Sequence, residues 1–110
     1  MTRTFVCTIS AAALLVAAPA FAALDDAAAK AVTGKAACNA CHAVDKKIVG
    51  PSYVEIAKKY KGDGKALATL IGQVRAGGAG KWGQVPMPPN PPEKISDADL
   101  KAVVEWILSK

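Results

Sequence analysis

The chain has 110 residues, 52% of them hydrophobic and 21% charged, with 14 Lys and Arg against 9 Asp and Glu, three cysteines and one histidine. That length accommodates one small domain. A lone histidine leaves no spare imidazole for general-base catalysis, and nothing else in the chain resembles catalytic apparatus.

In chain order, Met1 to Ala22 reads as a secretory signal. Arg3 supplies a positive start, Phe5 to Ala18 an uncharged apolar run, and Ala20-Phe21-Ala22 a small-x-small cleavage site. Residues 23–110 then form the working domain, whose formal charge falls from +5 to +4 on losing Arg3. An apolar stretch of about 20 residues also suits an uncleaved membrane anchor. Alanine dominance, Pro19 and the cleavage site favour removal, so Cys7 goes with the signal and no stable membrane insertion is expected.

Asp25 and Asp26 are placed to cap a first helix, whose Ala27, Ala28, Ala31 and Val32 recur at helical spacing before Gly34 weakens it. Cys38-Asn39-Ala40-Cys41-His42 follows, the attachment signature of c-type haem. One helical turn advances about 3.6 residues, so Cys38 and Cys41 can present their sulfurs on one side and each add across a haem vinyl group as a thioether. His42 is then placed to send an imidazole nitrogen to the iron. A zinc site needs a second pair of ligands, yet only Cys7 remains and there is no other histidine. A thioredoxin-like site belongs in a βαβ pattern, and no alternating strand precedes the motif.

Gly50-Pro51 breaks the chain before a second helix bearing Tyr53, Ile56, Ala57 and Tyr60 on one face. A third helix carries Leu67, Leu70, Ile71 and Val74 until Gly77-Gly78 ends it. The last opens on Ser96-Asp97-Ala98-Asp99, a weaker relative of the capping box, and buries Leu100, Val103, Val104, Ile107 and Leu108. No segment reads as a strand, so the fold class is all-α.

Between the third and fourth helices, residues 77–92 hold four glycines and five of the seven prolines, too many for regular structure. A loop this long in so small a domain points to function. Met87 sits at its centre, flanked by Pro86, Pro88 and Pro89 and outside every amphipathic face. A thioether is a soft ligand for haem iron, and His/Met ligation is the pairing that raises reduction potential. A lysine, a solvent molecule or an open iron site compete for that position. Seven lysines between Lys46 and Lys81 would steer an acidic protein partner or simply form a solvated face. An exported chain without a recognisable binding motif does not suit nucleic acid.

These residues resemble the small bacterial class I cytochromes c, with the c-551 group nearest. The likeness rests on Cys38 to His42, Val49-Gly50-Pro51, Lys81-Trp82-Gly83, Val85 to Asn90 and the ending Glu105-Trp106-Ile107-Leu108-Ser109. It implies about four short helices wrapped around one covalently held haem c. Met87 would be the distal iron ligand, and the Pro51 carbonyl would accept a hydrogen bond from His42, fixing its tautomer. Trp82 would lie against the haem with its N–H toward a propionate, and Asn90 would support the methionine sulfur. One departure shows: where the family usually has a large residue in the first helix to meet the last helix's aromatic, this chain offers Val32 and Thr33, so Trp106 would meet a smaller partner.

The function implied is a monomeric periplasmic electron carrier, not an enzyme, cycling between Fe(III) and Fe(II) among larger redox proteins of a respiratory chain. Its partners would be acidic, such as a terminal reductase, oxidase or peroxidase. The alternatives are a haem enzyme or gas sensor with an open sixth iron site, and a membrane-anchored subunit.

Overall fold

The computed structural model describes residues 12, 13 and 24–110 of the chain. The expected signal at 1–22, with Cys7, lies outside the described residues apart from Ala12 and Ala13. Four α-helices follow in order: α1 Asp26–Lys35, α2 Tyr53–Lys59, α3 Ala66–Ala76 and α4 Asp97–Leu108. Among the described residues there is no strand, only two isolated antiparallel bridges, His42 with Lys47 and Gly78 with Met87.

Three of the four helices, α1, α2 and α4, begin where a side chain satisfies a free N–H group. The Asp25 carboxylate accepts from Ala28 N at 2.7 Å to open α1. Ser52 and Glu55 open α2 with a full capping box: Ser52 Oγ accepts from Glu55 N at 3.1 Å, and Glu55 Oε2 accepts from Ser52 N at 2.8 Å. At α4 only the forward half forms, Asp99 N to Ser96 Oγ at 3.2 Å. Helix α1 stops where Ala37 turns left-handed at φ 62°, and the chain then enters a 3₁₀ turn over Cys38–Ala40.

Helix α4 packs on α1, α2 and α3. Its buried face, Leu100, Val103, Val104 and Trp106, joins Ala29, Tyr53, Ile56, Leu70 and Ile95 in one core. The periodicity in α4 and α2 thus predicts the faces that are buried. In α1 it does not: the buried positions are Ala29 and Thr33, with Ala27 and Ala31 exposed. An alanine-rich helix has too little contrast between its faces to declare a buried one.

Trp106 packs edge-on against Tyr53 with ring centroids 5.4 Å apart, an arrangement that favours the ring quadrupoles. Its indole N–H donates to Asp26 Oδ1 at 2.8 Å, and Lys110 Nζ binds the same oxygen at 2.7 Å while lying 4.4 Å over the indole ring. A polar clasp therefore ties the first turn of α1 to the end of α4.

Candidate functional site

The 3₁₀ turn positions the motif. Cys41 N and His42 N both donate to Cys38 O, at 3.1 and 3.0 Å, which folds the five residues tightly and leaves both thiols free and half-buried. Burial pushes the Cys38 thiol above its ordinary value, with Lys94 opposing weakly. A reactive redox cysteine needs the reverse shift, so the thioredoxin-like alternative loses support. Among the described residues no group of three or more His, Cys, Asp or Glu lies close enough to hold a bare metal ion.

His42 is held from two sides. Its Nδ1 lies 2.7 Å from Pro51 O, the partner the resemblance implies; a carbonyl only accepts, so Nδ1 donates, and in the neutral ring the lone pair is on Nε2. The ring stacks on Tyr53, centroids 5.7 Å apart and 22° from parallel. Gly50 closes the approach: a Cβ there would sit 2.7 Å from His42 Cε1 and 3.1 Å from Nδ1. Only glycine lets the backbone pass so near the imidazole.

Opposite stands the long loop. Gly77 leaves α3 at φ 67°, and Gly78 and Met87 then exchange both backbone hydrogen bonds, Gly78 N to Met87 O at 3.0 Å and Met87 N to Gly78 O at 2.8 Å. That bridge, with Pro86, Pro88 and Pro89, fixes the methionine's backbone. Asn90 is 5% exposed, and its Nδ2 donates to Val74 O at 3.2 Å and Pro88 O at 3.0 Å. Through these two carbonyls Asn90 ties the backbone of the Met87 loop to α3. Trp82 is half-buried, with Lys59 Nζ 4.5 Å above its ring.

Cys38, Cys41, His42, Trp82, Met87 and Asn90 all line one largely apolar cavity of about 270 Å³, together with Pro51 and the core residues Leu70 and Val104. Positions 66 residues apart in sequence, Cys38 and Val104, therefore meet around one cavity. Two free thiols, a histidine with an available Nε2 and a thioether around an apolar slot fit the donor set of a covalently attached haem, and among the described residues Lys81 and Lys94 are the only lysines, arginines or acids that line it.

The sequence profile of the cytochrome c family matches residues 26–110. The chain belongs to the cytochrome c family. It is 49% identical over 72 residues to cytochrome c-551 of Azotobacter vinelandii, covering 66% of this chain and 84% of that one. Cytochrome c-552 of Nitrosomonas europaea is 45% identical over 102 residues, 93% of this chain and 91% of the relative. The crystal structure of the Nitrosomonas europaea protein superposes with TM-score 0.67 at 46% identity, covering 72% of this chain and 95% of that chain. Class 1 cytochrome MtoD of Sideroxydans lithotrophicus ES-1 gives TM-score 0.67 at 38% identity, over 79% and 97%. The cofactor of this cytochrome is haem c, covalently attached, and its function is electron transfer, not catalysis.

Sequence reasoning missed three contributors. Gly50 and Tyr53 were legible only as a helix break and a core residue, although both neighbour Pro51. The pairing of Gly78 with Met87 has no local signal, because the two residues are joined across nine positions of irregular chain.

Proposed function

We propose that this cytochrome is a periplasmic shuttle whose haem is held by Cys38 and Cys41 as thioethers and whose iron is bound axially by His42 and Met87. Haem c supplies the one-electron chemistry, Fe(III) to Fe(II). The observation that carries the reading is the convergence of both free thiols, the oriented imidazole and the loop-pinned methionine on one apolar cavity. Each of these residues has a separate task. Pro51 holds the His42 proton on Nδ1, Tyr53 and Gly50 keep the ring upright, and the Gly78 bridge and Asn90 hold Met87 at a constant position. Fixed ligands on both faces would keep reorganisation small between oxidation states. Trp82 would pack on the haem.

The rim of the cavity favours docking of another protein. Val49 and Val85 are 46% and 64% exposed and line its mouth, with Lys46, Lys47 and Lys81 exposed in the same segments. An apolar spot among lysines suits an acidic redox partner, whose approach the lysines would accelerate. Among the described residues no helix is long and apolar enough to cross a membrane. Removal of residues 1–22 as a signal would release residues 23–110 as a single haem domain.

The test is a visible spectrum of the purified protein, oxidised and reduced, with and without carbon monoxide. Low-spin bands indifferent to carbon monoxide, with the weak ferric methionine–iron band, are expected, and Met87→Ala should abolish that band and lower the potential. Prompt carbon monoxide binding by the parent would replace the shuttle with an open-site sensor or enzyme.

A further inference from the structure

We propose that Arg75 is a positioning residue that keeps the Met87 loop closed over the cavity. It lies in the last turn of α3, outside the cavity lining, and its side chain is 20% exposed. Nη1 donates to Asn90 O at 3.0 Å and to Ile95 O at 2.8 Å, and Nη2 donates to Asp97 Oδ1 at 2.5 Å. These acceptors belong to the end of the loop, the segment preceding α4 and the first residue of α4. One planar guanidinium with its fixed fork of donors thereby joins three pieces of chain that share no regular structure.

The placement matters because, besides Arg75, the loop is closed by one set of contacts within itself and one to α3. Near the methionine it is held by the Gly78–Met87 bridge, and at its far end Asn90 binds Val74 O through its backbone N at 3.0 Å and its side chain at 3.2 Å. Arg75 locks this second attachment to α4. Without it, Asn90 O and Ile95 O lose a charge-assisted donor, and Asn90 and Ile95 are both buried, where an unmatched carbonyl is costly. The loop would then open locally more often while the helices stay packed. Each opening would withdraw the Met87 thioether, so Arg75 sets how readily an outside ligand reaches the iron. This inference rests on the reading of Met87 as the distal ligand.

The experiment compares the ferric haem protein with its Arg75→Met variant by imidazole titration and by amide hydrogen exchange. At least tenfold tighter imidazole binding is expected, equivalent to about 1.4 kcal/mol. Exchange at the Met87 and Gly78 amides should accelerate by a similar factor, while amides in the middle of α4 keep their parental rates. Lys110→Met, which loosens the distant clasp on Asp26, should lower stability yet leave imidazole affinity unchanged. Arg75→Lys, which retains charge but not the fork, should fall between parent and Arg75→Met, and it carries the test alone if Arg75→Met does not mature. A lower denaturation midpoint with parental imidazole affinity and parental loop exchange would overturn the latch. A parent without the methionine–iron band would overturn Met87 ligation instead, and the exchange rates at Met87 and Gly78 would still decide whether Arg75 closes the loop.

Discussion

Replacing Gly77 with alanine should damage the site from a distance, through backbone alone. Gly77 adopts φ 67° and ψ −165°, a region occupied essentially only by glycine, and forcing another residue there costs about 1–3 kcal/mol. Stiffening the unfolded chain returns about 0.4–1 kcal/mol, leaving a net loss of about 1–2 kcal/mol from conformation. Collision adds to it. The new Cβ would lie 2.5 Å from Met87 O, 2.8 Å from Pro89 N and 2.9 Å from Pro88 C, all backbone atoms of a proline-stiffened segment with little freedom to yield. The segment must move, and the Gly78–Met87 bridge moves with it. In a domain of this size such a loss lowers the melting temperature by on the order of 10 °C. Thermal denaturation of the haem protein measures it, and under the proposed Met87 ligation the ferric methionine–iron band reports whether Met87 has shifted. Gly64→Ala is the control, since Gly64 has no positive φ and nothing within 4 Å of a Cβ; its stability should change by less than about 1 kcal/mol. A Gly77→Ala protein with the parent's melting temperature and an intact band would refute the reasoning.

Gly50→Ala would place a Cβ against the His42 ring, which its bond to Pro51 O prevents from turning aside, so haem incorporation should fall and low-spin bands should weaken; a parental spectrum at parental yield would count against it. Ser52→Ala should cost about 1 kcal/mol in urea denaturation by removing the cap of α2, and an unchanged midpoint would show the box to be idle. The clasp between α1 and α4 makes a pH prediction. Hydrogen bonds from Lys110 and Trp106 hold the Asp26 carboxyl below its ordinary 3.8, so the clasp stabilises the fold fully above that value and loses its contribution as pH falls through the lower folded value. Parent and Asp26→Asn should therefore differ in stability at neutral pH and converge in acid; a difference independent of pH would exclude Asp26 as the group responsible.

Much of this protein can be read directly from its residues because the information is local. Cys38, Cys41 and His42 lie within one turn, so the spacing alone implies a shared chemistry, and the glycines and prolines around Met87 mark a loop without reference to any neighbour. The same holds for α2 and α4, where bulky apolar residues contrast with lysines and acids around each helix. In α1 the contrast vanishes among alanines, and Thr33 proves more buried than Ala27 or Ala31.

What belongs to the tertiary structure is every relation between distant segments. Sequence marks Met87 as unusual, but only the fold brings it to the cavity of Cys38 and His42 and pins its backbone on Gly78. It also gives Asn90 the carbonyls of Val74 and Pro88 and Trp106 the carboxylate of Asp26, and turns Arg75 from a helix-end cation into a tie across three segments. Hydrogen bonds depend on direction and on distances of about 3 Å, and neither composition nor periodicity carries those quantities between residues far apart in the chain. Haem chemistry is thus written in a pentapeptide, while the rigidity that suits it to electron transfer comes from how four helices and one long loop close upon each other.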